Sequence, residues 1–238
     1  MLGVIGGLGP MATALFMEMV TRMTDASCDQ EHIEMLVHSC PRIPDRTAYI
    51  LGNSDEDPSG VMIQIGKALA EAGASCIAIP CITAHYFHRE LSANIPVPII
   101  HAVDETSREL LRHGDAKAGI MATDGTVRSR IFQQSLQDAG IEPVLPDREH
   151  QQYVMDMIYG DIKAGKPADM EKFARVSDYL RARGAQSVIL GCTELSTIKE
   201  QHPIGAGYID AMEVLAQRAV LLCGGKLKEQ YVSLVTES

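Results

Sequence analysis

The sequence predicts an α/β protein built on parallel sheets, and three observations carry that prediction. Short apolar runs alternate with longer amphipathic stretches along all 238 residues. The short runs are continuously apolar rather than alternating, as strands covered on both faces are. No low-complexity segment or long linker interrupts the pattern. Strand-like runs cover 1–5, 33–38, 75–79, 97–101, 116–122, 142–145, 186–190 and 207–210. Helical stretches lie between them. In 54–73, Pro58 suits a first turn, Met62, Ile65 and Leu69 share one face, and Gly73 suits a stop. The stretch 103–113 ends before Gly114 and 127–139 before Gly140, in the manner of glycine C-caps; 151–164, 170–183 and 211–223 complete the set.

Composition bounds the function. The chain is 46% apolar and 22% charged, enough to bury a sizeable core. Lys+Arg of 21 against Asp+Glu of 31 gives a net charge of −10, with no basic tract of five or more, which argues against nucleic acid as a partner. No apolar run approaches the roughly 18 residues a membrane helix needs. The opening Met1-Leu2-Gly3-Val4-Ile5-Gly6-Gly7 reads as a strand and a glycine turn without the basic start of a signal peptide, so the expected location is cytoplasmic. Six cysteines in a chain this long are expected to be reduced thiols, each either core packing or chemistry. Trp is absent and aromatics are 5%, which removes a base-stacking platform.

A faint internal echo runs through the chain. Leu2-Gly3-Val4-Ile5-Gly6-Gly7 shares its grammar with Ala118-Gly119-Ile120-Met121-Ala122-Thr123, and in each half a later strand ends on a cysteine, Cys81 and Cys192. The spacings are near-equal, 119 − 3 = 116 and 192 − 81 = 111. This points to a duplicated α/β unit, although any α/β chain repeats strand, turn and helix, and the grammar alone leaves coincidence open.

Ligands of open α/β sheets sit beyond the carboxyl ends of the strands, where Cys81 and Cys192 lie, each ahead of an expected helix. A thiol at a helix N-terminus is expected to fall below its ordinary value of about 8.5. A free cysteine is more often a small buried hydrophobe, but two in equivalent places favour chemistry. One thiolate and one thiol across a cleft can take a carbon-bound proton from one face and supply another on the opposite face. That arrangement inverts a stereocentre without metal, flavin or pyridoxal. A second reading is metallic: Cys76, Cys81, His85 and His88 read C-x4-C-x3-H-x2-H. Cys76 lies within an extended run five residues before Cys81, however, so the two point to opposite faces.

The motifs Gly6-Gly7-Leu8-Gly9-Pro10-Met11-Ala12-Thr13, Ile43-Pro44-Asp45-Arg46-Thr47, Pro80-Cys81-Ile82-Thr83-Ala84-His85, Ala122-Thr123-Asp124-Gly125-Thr126 and Gly191-Cys192-Thr193-Glu194 together resemble the aspartate/glutamate racemase family, in the family's order and across nearly the whole chain. The resemblance implies two similar α/β domains related by a pseudo-twofold axis with the active site in the cleft between them, here 1–101 plus 206–238 and 102–205. It implies cofactor-independent racemisation, with Cys81 and Cys192 as acid and base, and a homodimer. Arg46 matches an arginine that receives a substrate carboxylate, for which a guanidinium fork is suited. Lys163 matches a basic residue near the side-chain carboxylate of acidic substrates; it is equally readable as a last-turn lysine favoured by the helix dipole. Thr83, Thr123, Thr126 and Thr193 match positions that hold the α-carboxylate, and each also reads as a helix cap. Gly7 and Gly9 are expected to shape the cleft floor, Glu194 to tune the proton of Cys192, and His85 to support Cys81 or simply to pack. Met17, Met19 and Met23 read as interface or, more commonly, as helix core.

One departure stands out. The family places asparagine directly after the first cysteine, and this chain has Ile82, which neither donates nor accepts a hydrogen bond. Losing such a bond costs about 0.5–1.5 kcal/mol, enough to shift substrate preference but not to abolish proton transfer. The expected function is therefore an amino-acid racemase acting on aspartate or glutamate. The alternatives are a maleate-type cis–trans isomerase of the same superfamily and a catalytically impaired amino-acid-binding protein.

Overall fold

The computed structural model describes residues 1–237 and divides the chain into two compact units: Met1–Ala102 with Met212–Ser233, and Val103–Ala211 with the stretch from Leu234. In the first unit the chain runs through β1 (Leu2–Gly6), α1 (Pro10–Met23), β2 (Met35–Ser39), α2 (Arg46–Ile50), α3 (Ser59–Glu71), β3 (Cys76–Ala78), a 3-10 run (Ile82–Phe87) and α4 (His88–Asn94). The second unit continues with α5 (Ala102–His113), β4 (Lys117–Met121), α6 (Asp124–Ser129), α7 (Ile131–Asp138), β5 (Glu142–Val144), α8 (Arg148–Met155), π-helical turns (Asp156–Ile162), α9 (Met170–Ala182), β6 (Ser187–Leu190), α10 (Thr193–Gln201) and β7 (Tyr208–Asp210). Then α11 (Ala211–Leu222) returns the chain to the first unit. No helix among the described residues is long and apolar enough to cross a membrane.

Both sheets are parallel, ordered β2-β1-β3 and β5-β4-β6-β7. The 97–101 run, expected as a strand, contributes only a parallel bridge between Ile77 and Ile99. Its two bonds are Ile77 N–H to Pro98 O and Ile100 N–H to Ile77 O, and the prolines at 96 and 98 supply no further donors. Counting that bridge, the two sheets share one strand order.

The registers make the internal echo a structural repeat. Gly3 pairs with Ile77, four residues before Cys81, and Gly119 pairs with Val188, four residues before Cys192. The helices ahead of these strands, α3 and α9, are both 13 residues long and begin 111 positions apart. Sterics repeat as well. A Cβ on Gly3 would meet Leu69 and Ala74, and one on Gly119 would meet Leu180 and Ala185, the same neighbours displaced by 111. Only glycine lets the helix lie this close to the central strand. The core of each unit lies between sheet and helices. One cluster gathers Ile5, Met62, Leu69, Ile77, Ile79 and Leu91; the other gathers Met121, Val144, Phe173, Leu180, Val188 and Leu190. Met19 and Met23 are core residues of α1, whereas Met17 is exposed.

Residues 206–211, expected with the first domain, belong to the second unit because β7 pairs with β6. Thr236 joins it there, bonding Gly207 and Tyr208 through its main chain. The 127–139 stretch is two helices, α6 and α7, separated by Arg130 in the left-handed region at φ 60°. The 151–164 stretch begins earlier, where the Asp147 side chain accepts from His150 N–H, and ends in the π-helical turns.

Candidate active site

In the first unit Cys81 lies just beyond β3, in extended conformation, and starts the 3-10 run. It packs in one apolar cluster with Leu8 and Ile43. These two residues mark the turns that carry Gly7, Gly9 and Arg46. Gly7 has φ 89°, and a Cβ there would stand 2.4 Å from the main chain of Cys40, so the turn admits no other residue. The Thr13 hydroxyl accepts from Gly7 N–H at 2.9 Å and donates to Gly9 O at 3.0 Å. Arg46 donates to Ile43 O, Pro44 O and Leu8 O at 3.3, 3.0 and 3.1 Å. Its guanidinium thus ties the turn after β1 to the turn before α2. Thr83 and Ile82 are buried beside Cys81 in sequence, Ile82 being 2% exposed.

His85 is buried and its Nε2–H donates to Ile79 O at 3.3 Å, with His101 and His88 rings 5.4 and 6.4 Å away. Burial first, then the two neighbouring imidazoles, hold it well below the ordinary histidine value. Its bond to Ile79 O reaches the main chain two residues before Cys81.

In the second unit Cys192 N-caps α10, and a chain of polar side chains forms around it. Its Sγ–H donates to Glu194 Oε2 at 2.9 Å, the Thr193 hydroxyl donates to the same oxygen at 3.2 Å, and Lys163 pairs with Glu194 Oε1. Lys163 is set by the π-helical turns immediately before it, whose wider winding shifts the residues C-terminal to them. Thr123 N-caps α6, accepting from Thr126 N–H, and the two hydroxyls bond each other at 3.1 Å. Gln151, which carries no motif, donates from Nε2 to Ala122 O and Asp124 Oδ1 and fixes this turn. A glutamine near the start of an amphipathic helix gives no sequence signal for such a role.

The expectation that a helix N-terminus lowers both thiols fails at Cys192. Burial, then the Glu194 carboxylate, push this thiol well above its ordinary value, outweighing Lys163 and a main-chain bond. Burial also acts upward on Glu194, but Lys163, the Cys192 thiol and the hydrogen bonds outweigh it, and the carboxyl sits below its ordinary value. Cys192 is therefore a protonated thiol facing an ionised carboxylate. The metallic reading meets a different arrangement: Cys76 lies against Cys223, and no group of three or more His, Cys, Asp or Glu among the described residues is placed to hold a metal ion.

Cys81 and Cys192 are 7% and 8% exposed. Each carbonyl accepts from the N–H three residues on, Ala84 at 3.0 Å and Leu195 at 2.9 Å. They are the same position of the repeat.

The model of the Asp/Glu/Hydantoin racemase family matches residues 5–219. The broad specificity amino-acid racemase RacX of Bacillus subtilis is 28% identical over 228 residues, 92% of this chain and 96% of that protein. The aspartate racemase of Picrophilus torridus is 31% identical, with a TM-score of 0.82 over 97% of this chain and 96% of that one. A Francisella tularensis glutamate racemase in complex with D-glutamate, 17% identical, shares the fold, with a TM-score of 0.62 over 93% of this chain and 80% of its own. This chain belongs to the Asp/Glu/Hydantoin racemase family and is an isomerase of the amino-acid racemase type.

Proposed function

We propose that the protein inverts the α-carbon of aspartate or glutamate without a cofactor, Cys81 and Cys192 acting as acid and base on opposite faces of that carbon. The observation that carries this reading is the shared position of the two cysteines in two copies of one helix–strand unit, each beyond a strand's carboxyl end. One sulfur, as thiolate, takes the α-proton; the other, as thiol, gives its proton to the opposite face. After one turnover the two have exchanged states and the reverse reaction is ready.

The α-proton is weakly acidic, so groups aimed at the carboxylate must stabilise the carbanion-like transition state. Main-chain amides and hydroxyls at Thr83, Thr123, Thr126 and Thr193 suit the α-carboxylate, with Gly7 and Gly9 leaving room for it. Arg46 takes a substrate carboxylate by exchanging a main-chain carbonyl for it, and Lys163 takes a side-chain carboxylate in competition with Glu194. Ile82 favours a second reading, a wider substrate range, because an apolar side chain comes directly after the first cysteine. A homodimer in the cytoplasm belongs to the same proposal, and sedimentation of the purified chain reads the former.

The test is incubation with single-enantiomer amino acids in heavy water, read by chiral chromatography and mass spectrometry. Inversion accompanied by one deuterium per α-carbon is expected. Olefin isomerisation without α-exchange supports the cis–trans isomerase instead, and ligand-raised Tm without inversion supports a binding protein. If Cys81→Ser and Cys192→Ser both racemise like the parent, the mechanism is wrong.

A further inference from the structure

Away from the candidate site, two more cysteines of the first unit lie together. Cys76 opens β3 and Cys223 directly succeeds α11, 147 positions later, yet their sulfurs are 3.6 Å apart. Cys76 is buried, and Cys223 reaches partly to solvent. A disulfide needs about 2.05 Å, so the sulfurs have about 1.5 Å to close. The chain beside them can yield, since Gly224, next to Cys223, has φ 80° and open space around its Cα.

We propose that Cys76 and Cys223 form a thiol–disulfide pair that exchanges with low-molecular-weight disulfides, Cys223 being the attacking sulfur and Cys76 the resolving one. The division of labour comes from their surroundings. The hydrogen bond from the Cys76 thiol lowers Cys223 to about 7. That same bond and burial push Cys76 up. A low, part-exposed thiol is the nucleophile of disulfide exchange, and a small disulfide reaches it first.

The reaction balances. The Cys223 thiolate attacks one sulfur of RSSR, forming a mixed disulfide and releasing RS⁻. Cys76 gives its proton to solvent and attacks Cys223 Sγ, releasing the second RS⁻. Two protein thiols are oxidised, RSSR is reduced to two RSH, and a dithiol reverses both steps. The bond would tie α11 to the start of β3, at the opposite end of that strand from Cys81, so turnover survives it while the first unit resists unfolding.

The experiment treats the folded full chain with oxidised glutathione, quenches in acid, labels remaining thiols under denaturing conditions and maps the peptides. Expected is a mass about 2 Da below the reduced chain with four of the six thiols labelled, a Cys76–Cys223 cross-linked peptide, and a Tm raised by several degrees. The first step, loss of the free Cys223 thiol, should quicken as pH rises through about 7 and then level off. Cys76→Ala should hold one glutathione on Cys223 without closing, and Cys223→Ser should take up none at Cys76. Glutathione that stays on Cys223 in the parent, a bond to any other cysteine, or Cys76 labelled as readily as exposed Cys28 overturns the proposal.

Discussion

Around Cys192 the chain sets a carboxylate, Glu194, two residues on; at the matching place after Cys81 it sets a hydroxyl, Thr83. Four residues on, His85 in the first unit stands where Ser196 stands in the second. Farther along, His101 matches Asp210 by the pairing of Ile99 and Tyr208 with the neighbouring strand. Ser196 donates to Asp210 at 2.8 Å, whereas His85 meets His101 edge to ring with the centroids 5.4 Å apart. One scaffold thus presents two thiols in unlike electrostatic settings. A repeat fixes where the sulfur is placed, and at Cys192 burial and the carboxylate two positions later hold the proton on it.

The largest effect should come from removing either sulfur. Cys81→Ser and Cys192→Ser should each lower racemisation by about 10²–10⁴-fold, the usual worth of a positioned proton-transfer group. What separates the two is exchange: each variant should still wash deuterium into the one enantiomer whose proton faces the surviving thiol. Equal exchange of both enantiomers in both variants would break the assignment of one face to each sulfur.

Next comes the turn after the first strand of each repeat. Gly7 and Thr123 match, counting from Gly3 and Gly119, but Gly7 sits at φ 89° against the main chain of Cys40 while Thr123 sits at φ −63° as an N-cap. Gly7→Thr should cost about 3 kcal/mol or more by denaturant unfolding. The converse Thr123→Gly should cost only a few tenths. Similar losses for both would mean that the turns are not built differently.

Glu194→Gln probes the difference in charge. The carboxylate raises the Cys192 thiol, so its loss should move the limb of the pH–rate profile that reports Cys192 to lower pH. Stability should fall by about 1.5–3 kcal/mol, since a charged hydrogen-bond partner of Cys192 and Lys163 is lost. Glu194→Asp should restore part of the stability. An unshifted profile would leave Glu194 a purely structural residue.

Much of this was legible in the sequence because it rests on local signals. Glycine stops, apolar runs and the spacing of two cysteines point to the sheets and the repeat, as the constant displacement of 111 from α3 through Cys81 shows. What the sequence hid depends on partners distant along the chain. The π-helical turns that set Lys163 break the 3.6-residue period without any proline or glycine at their start. The Cys192 thiol reads as a lowered helix-start cysteine until burial and the ionised state of Glu194, itself held by Lys163 from 31 residues away, are counted. Arg46 reads as an open fork until its three carbonyl partners are seen. Pairing of Cys76 with Cys223 had no sequence signal at all.

The smallest expected effect separates the two units by their response to acid. His85 lies well below the ordinary 6.5 in the folded chain, so the folded state binds fewer protons than the unfolded one, and stability falls as pH drops below about 6.5. Between about pH 7.5 and 5.5 this single residue should therefore lower the stability of the folded chain. Glu194 is also lowered, but from 4.5, so its contribution is present above that value and is lost only as pH falls through its folded value. The two residues therefore act in different windows, His85 on mild acidification and Glu194 at lower pH. His85→Ser, which gives the first unit the residue its counterpart already has, should shift stability by a constant and flatten its slope between pH 7.5 and 5.5. A slope unchanged by that substitution would place the mild-acid sensitivity elsewhere than in the buried imidazole behind Cys81.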